Sequence, residues 1–376
     1  MIPVSRPYIT DGDIASVAGV LRQGFVSGDA PVVGEFEQAF ASAVDREHGI
    51  AVANGSLALD IALHALDLKD GDEVVIPSFT IASCLFAVLR TPARPVFADV
   101  DPITWSLSTE TVQPVLTPRT RALIAVHTYG LPIDMDPILQ LCRNHEITII
   151  EDSAEAHTVS YNGRKCGSFG LASTFSFYAN KAITCGEGGM IVSDDADFAT
   201  RVRGLRNLAF LPAPGPRFVH EEIGWNARLS ALQAALGKSQ LSRMNAVTAT
   251  KRKIGVLYHS ILSSNPELVM QPIETAYSKN MFWVVGVLLP DRFDVRQVAA
   301  RLRDRGVDSR PFFFPLHEQP LLSGYGLAGQ ASLPVAERLG RQGLYLPSFV
   351  GIATTEIETS AYSLLEILSG NQAIRS

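Results

Sequence analysis

The sequence predicts an α/β fold in two parts: a large domain around a mostly parallel central sheet, residues 1–250, and a smaller C-terminal α/β domain, residues 251–376. Three observations predict it. Short β-rich runs alternate with helical patterns between about 49 and 192, the order expected of strand, crossover helix and parallel strand. Several of those runs are apolar on both faces, as strands covered by helices on either side must be. The length of 376 residues, 47% of them apolar, exceeds the size at which single cores begin to split.

Taken in order, the strands of the first part are "GIAVA" (49–53), "EVVIP" (73–77), "RPVFADV" (94–100), "RALIAVH" (121–127), "EITIIED" (146–152), "STFSFY" (173–178) and "GMIVS" (189–193). Helices fill the gaps, with "SLALDIALHAL" (56–66) opening after Asn54-Gly55 and "DMDPILQLCRNH" (134–145) after an acidic turn. From about 200 to 225, "RNLAFLPAPGPRFVHEEIGW" is rich in Pro, Gly and aromatics and reads as a long irregular loop. A helical stretch over 230–262 leads to a strand at "MFWVVGVLL" (281–289) and a helix at "VRQVAARLRDRG" (295–306).

Composition excludes several classes of function. A net charge of −6 gives no broad positive field for nucleic acid or for an acidic membrane surface. Cys84, Cys142, Cys166 and Cys185 are widely spaced without a CxxC pair, so reduced thiols and no metal site are expected. "MIPVSRPYIT" carries no leader pattern, and no apolar run approaches the ~18 residues of a membrane span. A soluble, cytoplasmic protein is expected.

The chemistry concentrates at strand ends. In an open parallel sheet, ligands sit outside the carboxyl ends of the strands. Asp152 ends "ITIIED", Lys181 lies three residues beyond "STFSFY", and "ANGS" places a glycine at a helix start. A lysine, an aspartate and a helix N-terminus in one cleft suit pyridoxal 5'-phosphate: an amine for its aldehyde, a carboxylate for its pyridine nitrogen and backbone amides for its phosphate. Singly, each has an ordinary reading, as a solvated lysine, a capping aspartate and a plain helix start. Their conjunction carries the argument.

"IIEDSAEAH", "GSFGLASTFSFYANKAITCGEGGMIVSDD" and "GWNARLSALQAALG" resemble the signature segments of the DegT/DnrJ/EryC1/StrS aminotransferases, and the similarity runs from "IPVSRPY" to the "LPS" near 348. The resemblance implies an aspartate-aminotransferase-like (type I) fold and amine transfer from an amino acid to a nucleotide-linked keto sugar, with pyridoxamine phosphate as the aminated cofactor. It implies Lys181 as the Schiff-base lysine, Asp152 as the pyridine-nitrogen partner, Ser176, Gly55 and Ser56 as phosphate contacts, and Glu155 beside the ring. It also implies that Asn226 reaches the phosphate of a neighbouring subunit, hence a homodimer with shared sites. At Ile81 the family commonly carries an aromatic residue that stacks on the ring; Phe79 is the alternative cover.

Arg228, Arg310 and His317 are candidates for the sugar or diphosphate, each with a structural ion pair as the alternative. His127 and His157 suit either the cleft or the core. "FSFYANKAITCGEGGM", "RFVHEEIGWNARLS" and "VDSRPFFFPLHEQP" are similar to segments of the perosamine-synthase-like members, which implies carbon 4 of a GDP-linked 4-keto-6-deoxy sugar as the acceptor; glutamate is the expected donor, with glutamine as the alternative. Two other readings keep the fold: a dehydratase, whose relatives replace the lysine by histidine or add an iron–sulfur cluster, and a non-catalytic sugar-binding or regulatory protein. Lys181 and Asp152 are both retained, which argues against either.

Overall fold

The computed structural model describes residues 1–210, 215–216, 218–329 and 331–370. Seven strands form the large sheet: β1 (His48–Val52), β2 (Glu73–Pro77), β3 (Arg94–Ala98), β4 (Thr120–Val126), β5 (Thr148–Asp152), β6 (Ala172–Ser176) and β7 (Gly189–Ser193). Their spatial order is β1-β7-β6-β5-β4-β2-β3. Pairing is parallel from β6 through β5, β4 and β2 to β3, while β7 runs antiparallel to both of its neighbours. The sheet is therefore mostly parallel, with one reversed strand.

Side-chain alternation explains why these strands are apolar throughout. Val74, Ile76 and Ile124 point into one core, while Val75, Leu123 and Ala125 point into another on the opposite face. Each face is a period-2 selection from the same run. The crossover helices, including Gly55–His64 and Met135–Asn144, cover these faces.

Two expectations need correction. The irregular stretch begins later than the composition indicates, because the helix Ala196–Arg206, capped by Asp195, runs on through residues 200–206. Arginines and a glycine at its end masked the pattern. The stretch 230–262 is two helices, Ala231–Leu241 and Met244–Leu262, broken at Ser242 and Arg243. Position 250/251, where the sequence divides the two domains, lies inside the second of them.

A second, antiparallel sheet is built from β8 (Val285–Leu288), β9 (Arg310–Pro311) and β10 (Gly343–Leu346), in the order β8-β10-β9. Its strand β8 is shorter than the run 281–289. Met281 and Trp283 donate their backbone N–H groups to Gly130 and Tyr129 instead, at 3.0 Å each. That detour places Trp283 against the large sheet. Among the described residues no helix is long and apolar enough to cross a membrane, and all four cysteines are free and buried.

One buried carboxylate ties the sheet to the loop beyond it. Glu151 accepts hydrogen bonds from His127 Nε2 (2.7 Å), Ser153 Oγ (2.9 Å), Gly167 N (2.6 Å), Phe169 N (2.9 Å) and Ser173 Oγ (2.7 Å). Burial alone would raise its pKa, but these bonds, led by that of His127, outweigh it and hold the carboxyl below its ordinary value. His127 Nδ1 accepts from Ile133 N at 3.1 Å, which leaves Nε2 to donate to Glu151. The depressed pKa means that this stabilisation is present above the ordinary value of 4.5 and is lost as pH falls through the folded value. Glu151→Gln is expected to cost about 3 kcal/mol or more, because an amide cannot accept all of these donors. Urea unfolding of the two proteins at neutral pH measures it.

Candidate active site

The carboxyl ends of β4, β5 and β6 open into a cavity of ≈ 570 Å³ lined by Gly55, Ser56, Ile81, Asp152, Glu155, Ser176 and Lys181, among others. Chain segments far apart in sequence thus meet at one place, as the strand-end argument requires.

The helix Gly55–His64 points its N-terminus at this cavity. Asn54 caps it, its Oδ1 accepting from Leu57 N at 2.9 Å. A Cβ on Gly55 would lie 2.7 Å from Ser176 Cβ, so the absent side chain lets the helix start close against the end of β6. Ser56 Oγ lies 2.7 Å from Ser83 Oγ, and Ser176 Oγ accepts from Tyr178 N at 3.4 Å. Free helix amides and three hydroxyls lining one cavity make a cradle for a dianionic phosphate.

Asp152 ends β5 and is buried. One carboxylate oxygen accepts from Ala154 N at 3.1 Å, and the other faces the Cys84 thiol at 3.6 Å. Burial raises its pKa, opposed by the Ala154 hydrogen bond and the charge on Lys181. A positive ring nitrogen beside it would supply the missing counter-charge.

Lys181 sits in the turn between β6 and β7, which is pinned where Cys185 N and Thr184 Oγ1 both donate to the Phe177 carbonyl. The glycines after it have specific work. Gly186 takes φ = +80°, and a Cβ on Gly189 would lie 2.5 Å from the Asn54 carbonyl oxygen. The turn can therefore press its lysine inward against the helix start.

The amine lies 3.7 Å from Glu155 Oε1 and 3.7 Å from the centroid of the Trp283 ring. Trp283 is itself fixed by Nε1 donating to the Asn180 carbonyl at 3.0 Å. Burial lowers the Lys181 pKa, with Glu155 and Asp152 opposing. Burial pushes Glu155 up to about 7, against the pull of Lys181 and of Tyr129 N, which donates to Oε2 at 2.7 Å. A lysine moved toward neutrality is a competent nucleophile and base.

Other candidates fall outside this cavity lining. Phe79 is fully buried against Tyr129, Phe312 and Phe313, so it is not the ring cover, whereas Ile81 lines the cavity with 43% exposure. His317, expected as a substrate contact, is buried with Nδ1 2.6 Å from Ser78 Oγ and Nε2 3.5 Å from Glu337. These partners hold it behind the end of β2. Arg310 is exposed, 3.6 Å from Asp308, although its register partner Tyr345 does line the cavity. Arg228 donates to Asn207 Oδ1, and Asn226 is exposed on the neighbouring stretch, bridged to Asn207.

The other two candidate histidines, His127 and His157, are core residues. His127 serves Glu151, and His157 packs among Phe40, Phe175 and Phe177, where burial and the charge of Lys181 lower its pKa to about 3.

Sequence reasoning missed Ser83, Trp283, Phe313 and Tyr345. Ser83 had a signal, lying two residues past the Ile81 position at the start of the helix Ala82–Leu89. The aromatic residues had none, because their place depends on how the second sheet packs on the first.

Lysine amine, buried carboxylate and phosphate cradle in one cavity fit pyridoxal 5'-phosphate, and together with the sheet topology they define a pyridoxal-phosphate aminotransferase of type I architecture. The chain belongs to the DegT/DnrJ/EryC1/StrS aminotransferase family, which it matches over residues 7–364. It is 36% identical over 369 residues to a GDP-perosamine synthase of Caulobacter vibrioides, covering 98% of both chains. A GDP-perosamine synthase of Vibrio cholerae is 33% identical over 95% of this chain and 96% of its own. Among solved structures, the aminotransferase TlmJ from Streptoalloteichus hindustanus superposes with a TM-score of 0.91 at 29% identity, covering 100% of both chains.

Proposed function

We propose that the protein transfers the amino group of glutamate to carbon 4 of a GDP-linked 4-keto-6-deoxy sugar. The observation that carries the reaction class is the convergence of Lys181, Asp152 and the Gly55 helix start on one cavity. The sugar is supported by the relatives that are GDP-perosamine synthases. The donor leaves as its 2-oxo acid, and the sugar's keto oxygen is replaced by the amine.

The bound cofactor supplies an electron sink for the charge left when a proton leaves carbon. Asp152, at the buried end of β5, would keep the ring nitrogen protonated. Lys181 would hold the cofactor through its amine and, when free, would take and return the proton of the substrate carbon at Nζ. The backbone amides of Gly55 and Ser56, with the Ser56 and Ser176 hydroxyls, would hold its phosphate. Glu155 steadies the Lys181 amine from 3.7 Å, and Ile81 would cover the ring.

We propose further that the site is completed by the partner subunit's Asn226, whose loop also carries Arg228, and that Arg310 meets the sugar nucleotide beside Tyr345. The exposed Ile81 and Tyr178 at the cavity and the exposed Ile223 near Asn226 support a second copy as the cover. Residues 1–250 and 251–376 act as the two domains, with the helix Met244–Leu262 joining them.

Incubating the purified protein with glutamate and a panel of nucleotide-linked keto sugars, then weighing the products, tests the reading. A mass change corresponding to exchange of a keto oxygen for an amine is expected with the GDP-linked 4-keto-6-deoxy sugar. Loss of water without nitrogen gain would mark a dehydratase, and no change with any sugar would sink the assignment.

A further inference from the structure

Lys181, Asn180 and Trp283 line a second, much smaller cavity of ≈ 30 Å³. Its charged walls are Arg6, Lys181, Arg243 and Lys251, and no carboxylate lines it. Two of those charges are balanced from outside: Lys181 by Glu155 at 3.7 Å, and Arg243 by Asp13 at 2.7 Å. Among the described residues Arg6 and Lys251 have no such ion pair. Arg6 is exposed and lies over the Phe349 ring at 5.7 Å.

Lys251 is the more telling of the two. It is buried in the helix Met244–Leu262, and its Nζ donates to the Ser348 carbonyl and, at 2.5 Å, to Ser348 Oγ. Both acceptors are neutral, and an ammonium carries three donors. Burial lowers its pKa to about 7, the mark of a cation without a counter-ion. Keeping a buried amine on neutral oxygens alone is costly, and an anion would remove that cost.

We propose that this cavity binds a carboxylate of the amino-acid donor, with Lys251 and Arg6 as its cationic partners. The inference rests on the aminotransferase reading above and adds the residues that recognise the donor. Size argues against a diphosphate, since the space holds only about two water-sized groups. Position favours the donor, since Lys181, the amine it must displace, lines the same space.

Calorimetric titration with glutarate, a dicarboxylate that lacks an amine and cannot react, tests the site without requiring turnover. The native enzyme is expected to bind it, and Lys251→Met and Arg6→Ala each to weaken that binding by about tenfold or more. In steady state, both variants should raise KM for glutamate and leave KM for the nucleotide sugar unchanged. Arg6 is exposed, so Arg6→Ala carries the test alone if Lys251→Met fails to fold.

No glutarate binding by the native protein, unchanged binding in the variants that fold, or an effect confined to the nucleotide-sugar KM would overturn the proposal. Glutarate binding that depends on Arg6, together with failure of amine transfer to every sugar, would instead keep the carboxylate site and remove the proposed reaction.

Discussion

Lys181→Ala is expected to lower turnover by about 10³-fold or more while the protein stays folded. The side chain is asked to do two things, to hold the cofactor and to move the proton, so no other group can substitute for it. Folding should survive because the amine's contacts are few: Glu155 at 3.7 Å and the face of Trp283. Glu155 keeps its bond from Tyr129 N and, with its pKa already near 7, can take up a proton when the lysine charge is gone. Circular dichroism and a thermal melt check the fold. In the native protein, borohydride should fix the cofactor to the peptide containing Lys181, and a label on any other lysine would refute the assignment.

Asp152→Asn provides the companion result. The variant should still bind the cofactor, since the cradle at Gly55, Ser56 and Ser176 does not involve the carboxylate. Its turnover should fall by about 10²-fold or more, because an amide cannot hold the ring nitrogen protonated. Equal activity in the variant and the native enzyme would show that the electron sink does not depend on this residue.

The large sheet was legible because its strands are selected twice, once for each buried face. Runs such as residues 74–76 and 122–126 therefore carry no polar interruption to blur their limits. Lys181, Asp152 and Gly55 were legible for a related reason. Each sits where a strand ends or a helix starts, and topology alone sends such positions to one edge of the sheet. The orientation of Trp283 was not legible, because it follows from Met281 and Trp283 hydrogen-bonding to the 129–130 turn rather than continuing β8.

His317 illustrates the opposite failure. A histidine after "FFFP" looks available to a ligand, and its capture by Ser78 depends on a contact across 239 residues. Ile81 and Phe79 were ambiguous for a local reason. Two residues apart, they sit where the chain leaves β2 for a helix, and only the packing of Phe79 against Tyr129 and Phe312 decides which one turns inward.

A mixed dimer of one Lys181→Ala chain and one Asn226→Ala chain is expected to regain activity that neither homodimer has. Asn226 is exposed and absent from the lining of its own chain's cavity, so within one chain it has no route to the phosphate. If it reaches the neighbour's site, each site takes its lysine from one chain and its asparagine from the other. In the mixed dimer one site then carries both lesions and the other carries neither. The intact site should give about half the parental activity per dimer, by the two-fold symmetry of the arrangement. Because the cofactor would bridge the chains, adding it should also shift the monomer–dimer balance toward the dimer. Differently tagged chains, purified through both tags, isolate the mixed species. If each chain built its own site, both sites in that species would carry one lesion and no rescue would appear. An active monomer at high dilution would lead to the same conclusion by a separate measurement.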